Sequence, residues 1–319
     1  MILQKYNEQS NQNQLHLNEN VISSSNNPQS LSQGIKKKEN LKLNEILDKA
    51  RWFNLHKHSK KDKKSDDNIQ CNGNIPSKRW GHTAVNYNEK MIVFGGRGSK
   101  ANSTSIHSFD PSTLAFKKLE DEDSTKPFAR DSHTCVVFND EMYIFGGNWQ
   151  ETKLNDLWKF NFERKKWVEI SCENSPSAVE GHISSLVCGK FMMIQGGIDK
   201  NNKVISNMFL FDLVLYQWYS CLIPKEFEKA AARECRSCVV QGDNCFLFGG
   251  SDDDSKIYND MYKVSISFSS GNNCFHSKWV LEEPITKKPQ KRSSHSSVLY
   301  DNYIIIIGGE GETPSKFLK

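Results

Sequence analysis

Residues 130–147 decide the fold of this chain, and they read Arg-Asp-Ser-His-Thr-Cys-Val-Val-Phe-Asn-Asp-Glu-Met-Tyr-Ile-Phe-Gly-Gly. An Arg-x-x-His tetrad opens the stretch, and a Gly-Gly pair closes it after a run of four apolar residues. Such pairs recur at spacings of 51, 50, 53 and 59 residues, at Gly95-Gly96, Gly146-Gly147, Gly196-Gly197, Gly249-Gly250 and Gly308-Gly309. A nearly fixed period of this length is typical of a repeat protein in which each unit is one small sheet.

Two further features recur in step with the glycines. The Arg-x-x-His tetrad returns at residues 79–82 and 292–295, and degrades to Val179-Glu-Gly-His182 and Arg233-Glu-Cys-Arg236. Large aromatic residues follow each glycine pair at a distance of about twenty residues, at Phe116, Trp167, Trp218 and Trp279. Each unit therefore predicts four short strands, a to d, bounded by turn residues.

Glycine pair, aromatic residue and Arg-x-x-His in this order resemble the kelch repeat over roughly residues 75–319. The resemblance implies an all-β fold, a kelch-type β-propeller of about five blades with the last one incomplete. We expect the repeats at about 75–122, 123–173, 174–224, 225–285 and, in part, 286–319. Gly-Gly suits a tight turn that needs positive φ, and the Trp and Phe side chains suit packing between blades.

Composition favours a cytoplasmic protein. No apolar stretch approaches the ~18 residues of a membrane span, and the first residues lack the core of a signal peptide. Nine cysteines without a disulfide-scaffold spacing favour a reducing compartment. The chain has 42 Lys+Arg against 38 Asp+Glu, and residues 1–75 hold 12 against 8, so the propeller carries 30 of each. This balance argues against a general nucleic-acid binder.

The first 74 residues differ from the repeats. Residues 1–40 form an Asn/Gln/Ser-rich tail that we expect to be disordered, since 18 of the 28 residues from 7 to 34 are of these types. Residues 58–74 read as a basic linker. Within residues 41–57, Leu43, Ile46, Leu47, Ala50 and Phe53 have the spacing of an amphipathic helix. That helix would dock a partner or pack on the propeller edge; alternatively, Trp52-Phe53-Asn54-Leu55 is an outer strand of the closing blade.

The fifth repeat is unfinished, because only ten residues follow Gly309. Kelch relatives commonly close the ring by pairing the two chain ends. Three interpretations stay open: the tail completes the ring, another chain does, or the sequence is a truncated product.

The b–c turns after Gly-Gly and the d–a links before Arg-x-x-His are predicted to emerge on one face, where binding residues usually lie. The partner-binding candidates on that face are Arg79, Arg97, Arg130, Trp149, Arg233 and Arg292. Arginines around a mouth grip carboxylates, which favours an acidic peptide or a free C-terminus, and Trp149 is an aromatic anchor. The alternative is that Arg-x-x-His braces adjacent blades.

No metal, cofactor or catalytic residue is predicted. His82, His133, His182 and His295 converge only if they face the channel, and Arg236 replaces the fourth copy. Cys235 and Cys238 have C-x-x-C spacing, but they match small-residue positions in the other repeats and point to opposite faces of a strand. Three consecutive aspartates at 252–254 lack the alternating spacing of calcium loops.

The resemblance favours a non-catalytic scaffold or adaptor that binds a protein partner. Kelch proteins of this kind act with the cytoskeleton, with small GTPases or in ubiquitin ligases, although no segment here looks like a BTB domain. The rival hypothesis is a propeller enzyme, a metal-dependent oxidase or a protein similar to sugar mutarotases. Such enzymes need ligands or acid/base groups clustered at the mouth.

Overall fold

The computed structural model describes residues 2–5 (backbone only), 71–99, 101–119, 125–270, 274–283 and 288–311. The chain divides into two compact units, Met1–Tyr6 with Asn72–Lys319 and Asn7–Cys71. Of the second unit only Cys71 is described. The predictions of a disordered segment up to residue 40, of a helix or closing strand at 41–57 and of a basic linker after it therefore lie, beyond residues 2–5 and 71–74, outside the described residues.

The first unit is an all-β propeller of five blades, as the repeats predict. In a complete blade, four antiparallel strands a to d follow each other in chain order. The N-terminal strand is β1 (Ile2–Lys5). Blade 1 contains β2 (Asn72–Gly73), β3 (Thr83–Tyr87), β4 (Lys90–Phe94), β5 (Ile106–Asp110) and β6 (Ala115–Lys118). Blade 2 contains β7 (Thr134–Phe138), β8 (Glu141–Phe145), β9 (Asn148–Trp149), β10 (Thr152–Lys153), β11 (Leu157–Asn161) and β12 (Lys166–Ile170).

The remaining blades repeat this order. Blade 3 contains β13 (Val179–Glu180), β14 (Ile183–Val187), β15 (Phe191–Gln195), β16 (Ile198–Asp199), β17 (Met208–Asp212) and β18 (Gln217–Leu222). A 3-10 turn (Lys225–Phe227) and α1 (Glu228–Ala231) lead to blade 4, with β19 (Ser237–Gln241), β20 (Asn244–Phe248), β21 (Met261–Ser269) and β22 (Cys274–Glu282). Blade 5 contains β23 (Ser293–Tyr300) and β24 (Tyr303–Glu310). No helix in these described stretches has the length and apolar character needed to cross a membrane.

Apolar clusters between consecutive blades form the core. The b strands carry apolar side chains on both faces because they are covered on both sides, as in β8, where Met142 and Ile144 face blade 1 while Tyr143 and Phe145 face blade 3. Trp167 of blade 2 packs on Phe94 of blade 1 with ring centroids 5.0 Å apart. Trp218 repeats this contact on Phe145 at 5.1 Å. The recurring aromatic of strand d is therefore an inter-blade wedge.

The glycine pairs allow neighbouring blades to approach closely. Gly147 has φ +94°, and a Cβ there would lie 2.6 Å from the carbonyl oxygen of Asp131 and 2.7 Å from Cβ of His133. Both the backbone conformation and the lack of space exclude other residues. This requirement explains why the pair is the most regular element of the repeat.

The N-terminal residues complete part of blade 5. The β1 strand pairs antiparallel with β24, with Ile2 opposite Ile306 and Lys5 opposite Tyr303. The expectation of a disordered tail does not hold for these four residues, because their backbone groups join a sheet. A tail segment thus supplies the third strand of the last blade, while the alternative at residues 52–55 lies outside the described part of the chain.

The two terminal blades each present one open face. In blade 5, Ser296, Val298 and Tyr300 are exposed on β23, on the side that in blades 1 to 4 meets the following blade. In blade 1, His82 and Ala84 are exposed on the side that in the other blades meets the preceding one. Inner strands lie side by side in the series β3, β7, β14, β19 and β23.

Blades 3 and 4 also share backbone hydrogen bonds. The outer strands β18 and β22 pair in parallel at Cys221–Phe275 and Leu222–His276, and so the two blades form one eight-stranded sheet. The β21–β22 hairpin has strands of nine residues, longer than the outer strands of the other blades, which lets it reach β18.

Candidate functional site

Four arginines at the start of the repeats lie across the loop ends of their blades. In each, Nη1 donates to the carbonyl of the first glycine of the same blade's pair, over 2.8 Å to Gly95, 3.0 Å to Gly146, 3.3 Å to Gly249 and 2.7 Å to Gly308. In three of them Nε also donates to the carbonyl two residues earlier. Backbone carbonyls thus hold the guanidinium in one orientation, which explains why arginine and Gly-Gly recur together.

Two of these arginines are buried in ion pairs. Arg130 is fully buried, and its Nη1 and Nη2 each donate to a carboxylate oxygen of Asp156 over 2.7 Å. Arg233 forms the same bidentate pair with Asp260. A bidentate carboxylate compensates much of the cost of burying the cation. This geometry matches the bracing role that was the alternative for Arg-x-x-His, while partner binding by these two residues remains a prediction.

The other two arginines lie closer to solvent. Arg79 and Arg292 are half-buried, and burial lowers the pKa of both. At the position of Asp156, blade 1 has Ser105, whose Oγ lies 3.5 Å from Nη1 of Arg79. Among the described residues, no carboxylate pairs with Arg79.

An exposed aromatic patch occupies the loop ends of blades 1 and 2. We define it as Trp80, Arg97, Phe128 and Trp149. Trp80 is 57% exposed and lies under the guanidinium of Arg97, 5.7 Å from its carbon. Phe128 is 56% exposed and stacks on Trp149 with centroids 4.5 Å apart and an interplanar angle of 17°.

The two halves of the patch are joined through the backbone of their loops. Trp80 and Arg97 exchange backbone hydrogen bonds, and Arg97 forms a further bridge with Asn102. The side chain of Asn102 donates to the carbonyl of Asn148, the residue before Trp149. Trp149 and Arg97 were predicted from their loops, whereas Trp80 and Phe128 were missed. The one signal in the sequence was that Trp80 is an aromatic at a variable position of Arg-x-x-His.

A row of acidic side chains crosses the same face on successive blades. Asp131, Glu180 and Glu234 each follow the first position of the tetrad. Asn102 donates to Asp131, and Lys153 pairs with Glu180 at 3.2 Å. Burial raises the pKa of both Asp131 and Glu234, with the charge of Glu180 as a further cause. The loop of one blade thus binds an acid of the next.

The histidines of the tetrad hold neighbouring blades together. Nε2 of His133, His182 and His295 lies within 2.7–2.9 Å of a hydroxyl on the preceding blade, at Thr83, Thr134 and Ser237. Burial lowers the pKa of His182 to about 3 and that of His295 to about 4. Neutral imidazoles on separate blade interfaces have a structural role.

One interface replaces a whole contact pair. Phe94, Phe145 and Phe248 each meet a histidine edge-on across the interface. Between blades 3 and 4, Gln195 stands for the phenylalanine and Arg236 for the histidine, and Arg236 donates to Oε1 of Gln195 over 3.2 Å. Burial lowers the pKa of Arg236 to about 9, with Arg233 as a second cause. The two departures from the repeat are therefore one compensated exchange.

The remaining candidates for chemistry are accounted for locally. Cys235 has φ +51°, as do small residues at the equivalent positions, and Cys238 accepts a hydrogen bond from Ser185. All nine cysteines are free thiols. Over the stretches that the structure describes, no three His, Cys, Asp or Glu side chains are placed to hold a metal ion. A cavity of about 120 Å³ lies in blade 3 between Pro176 and Phe209 and is smaller than the ~300 Å³ of typical ligand sites.

Comparisons with known proteins agree with this architecture. The human Kelch domain-containing protein 3 is 25% identical over 257 residues, which cover 76% of this chain and 64% of that protein. The rat Kelch domain-containing protein 10 is 27% identical over 156 residues, 47% of this chain and 37% of that protein. The dynein alpha chain of the flagellar outer arm from Chlamydomonas reinhardtii is 24% identical over 219 residues, 63% of this chain but 5% of that protein.

The chain thus spans less than two thirds of the length of the first of these relatives. The sequence model of the KLHDC2/KLHL20/DRC7 Kelch-repeats domain matches residues 37–250, more than half of the chain. With the glycine pairs, the inter-blade aromatics and the tetrad arginines in their expected places, this match shows that the chain belongs to the kelch-repeat family.

Proposed function

We propose that this chain is a non-catalytic interaction module that binds a segment of a partner protein at the loop face of blades 1 and 2. The observation that carries the proposal is the aromatic patch of Trp80, Arg97, Phe128 and Trp149. Two of its aromatic side chains are more than half exposed. Large aromatic side chains and arginine dominate the binding energy of protein interfaces, and most exposed surface lacks them.

The patch is presented by a rigid support. Backbone pairing between Trp80 and Arg97, and between Asp131 and Asn148, ties each b–c loop to the start of its own a strand. Stacking fixes the ring of Trp149 against Phe128. A preorganised surface loses little conformational entropy on binding, which supports a site for a partner over an accidental exposure.

The nature of the partner follows from the charges beside the patch. Arg97 is exposed and Arg79 is half-exposed, which supports an acidic peptide or a free C-terminus. The nine free thiols are in keeping with a scaffold or adaptor in the cytoplasm. A cytoskeletal link is supported by the name of the dynein relative. Links to small GTPases or ubiquitin ligases rest on the kelch resemblance.

The experiment compares cell proteins retained by the wild-type chain and by a Trp80→Ala/Trp149→Ala variant, measured by mass spectrometry. The matched control is Leu215→Ala, which removes a side chain 62% exposed from a c–d turn at the other end of the blades. Loss of a specific partner in the double variant, with retention in the control and unchanged unfolding curves, supports the proposal. Equal retention by all three proteins contradicts it.

A further inference from the structure

The internal repeats provide a template for what the loop face of blade 1 binds. In blades 2 and 4, the Nη1 and Nη2 atoms of the tetrad arginine meet the two oxygens of an aspartate at the start of strand c. In blade 1 the equivalent arginine is Arg79, and serine replaces the aspartate at position 105. The comparison isolates one change, a missing internal carboxylate.

Arg79 keeps the orientation of its counterparts despite this change. Its Nη1 donates to the carbonyl of Gly95 over 2.8 Å, and its Nε donates to the carbonyl of Ser77 over 3.0 Å. These two bonds match those of Arg130 to Gly146 and to Phe128. The edge of the guanidinium that binds Asp156 in blade 2 is therefore held ready in blade 1 by the backbone alone.

Serine hydroxyls take up that edge incompletely. Ser105 Oγ lies 3.5 Å from Nη1 and Ser77 Oγ lies 3.3 Å from Nη2, against 2.7 Å for both carboxylate contacts in blade 2. Ser103 Oγ is 2.7 Å from Ser105 Oγ and adds a third hydroxyl. Long contacts to neutral hydroxyls leave most of the electrostatic attraction of the cation unused, since charge-assisted bonds are shorter and roughly twice as strong.

The surroundings favour an anion. Lys78 and Arg97 are exposed close to Arg79 in sequence and in the fold. The nearest described acid of the next blade, Asp131, accepts hydrogen bonds from Asn102 and Ser132. Ser77 is exposed, and the Nη2 side of Arg79 opens to solvent. A group from another molecule has access to this edge.

We propose that the loop face of blade 1 binds an Asp or Glu side chain of a partner segment at the Nη1/Nη2 edge of Arg79, with Ser77 and Ser105 as further donors. The inference rests on the proposed function and assigns the carboxylate contact to one blade. A side chain is favoured over a chain end because Asp156 makes the same contact from the middle of a continuous strand. Bidentate Arg–carboxylate geometry then provides the specificity.

The test follows the Nε–Hε signal of Arg79 by NMR in the full chain at low ionic strength, assigned through its disappearance in Arg79→Lys. The probes are N-acetylated, C-amidated nine-residue Gly/Ser peptides with a central Asp, Glu, Asn or phosphoserine, and the Asn peptide with a free C-terminus. We expect the Asp and Glu peptides to shift the signal and the amidated Asn peptide to leave it unchanged.

Ser105→Asp is the second arm, since aspartate at this position is tolerated in blades 2 and 4. We expect it to move the Arg79 signal towards those of Arg130 and Arg233, and to weaken the Asp peptide at least about ten-fold because the edge is then occupied. A matched control, Ser112→Asp, adds the same charge at an exposed turn of blade 1 and should leave peptide binding within about two-fold, as exposed charges contribute little.

Three results overturn the proposal. The first is a response to no acidic peptide, or only to phosphoserine or to the free C-terminus. The second is a response that Ser105→Asp leaves intact. The third is an Arg79 signal that moves when the acidic residues 120–123, which lie outside the described part of the chain, are replaced by their amides, since this link would then be the occupant. Partner binding that still depends on Trp80 and Trp149 in any of these cases would leave the interaction module standing.

Discussion

Replacing Asp156 by serine converts the arginine site of blade 2 into that of blade 1, and we expect a large loss of stability. Arg130 is fully buried, whereas the Asp156 side chain is 19% exposed. The substitution leaves a buried guanidinium with carbonyl partners only, and it removes the acceptor of the Trp158 indole N–H at 2.7 Å. Breaking a buried ion pair by removing one partner costs about 3–5 kcal/mol.

Partial exposure of Asp156 lets water screen the pair, so the lower end of this range, about 3 kcal/mol, is the expected change in the free energy of unfolding. This corresponds to a fall in Tm of roughly 6–12 °C for a domain of this size. Asp156→Asn keeps one acceptor and should lie between the wild type and Asp156→Ser. The control, Glu283→Ser, removes an exposed partner 3.7 Å from Lys288 and should change stability by less than about 0.5 kcal/mol.

The assay is urea unfolding followed by tryptophan fluorescence, with the slope m as a check that the same surface is exposed in each variant. A loss below about 1 kcal/mol for Asp156→Ser would refute the reasoning. It would mean that the carbonyls of Phe128 and Gly146 satisfy the cation without a carboxylate. The comparison between blades 1 and 2 would then lose its energetic basis.

Three further predictions concern the blade interfaces. The buried His182 and His295 bind fewer protons when folded than when unfolded between pH 6.5 and their lowered pKa values of about 3 and 4, so stability is full above pH 6.5 and falls as the pH drops through this window. Urea midpoints at pH 7 and 5 should show a loss of about 2 kcal/mol per histidine, and His295→Gln should flatten the dependence; an unchanged profile would contradict the assignment. Trp167→Ala should cost about 3–5 kcal/mol in the same assay, while Trp80→Ala should cost under about 0.5 because that ring is exposed. Gly147→Ala should destabilise by more than about 3 kcal/mol, against about 1 for Gly189→Ala, where φ is +70° but a Cβ meets nothing within 4 Å; equal losses would show that backbone strain alone sets the cost.

The repeat period predicted the blades because each Gly-Gly position has a local and inflexible requirement. Gly147 needs both positive φ and the absence of a Cβ, and no other residue provides this combination. The wedge role of Trp167 was equally legible, since a large aromatic at a fixed interval in a sheet protein must pack on something. Local constraints that repeat are readable without knowing the contacts.

The role of the arginines was not decided by the sequence because their partners are distant in the chain. Asp156 and Asp260 lie 26 and 27 residues after Arg130 and Arg233. The spacing is visible once the pairs are known, and serine at position 105 stands out by the same comparison. Aligning charged residues between repeats, in addition to the tetrads themselves, would have exposed the difference between the buried pairs and Arg79.

Other features depend on tertiary context alone. Four residues at the N-terminus are too short a segment to carry a strand signal, yet β1 finds an unpaired edge on β24. The stacking of Phe128 on Trp149 joins a d–a link of one repeat to a b–c loop of the next. No periodicity encodes such contacts, and for that reason half of the aromatic patch escaped the sequence.

The backbone ladder between β18 and β22 changes how the array comes apart. Repeat proteins with contacts only between side chains of neighbours open unit by unit, so that each blade has its own local free energy of opening. Amides of blades 3 and 4 should instead share one hydrogen-exchange rate under native conditions, because neither outer strand can detach without breaking hydrogen bonds of the other. Fraying then begins at the terminal blades 1 and 5, and the pair of blades 3 and 4 is the last part of the propeller to lose its protons to solvent.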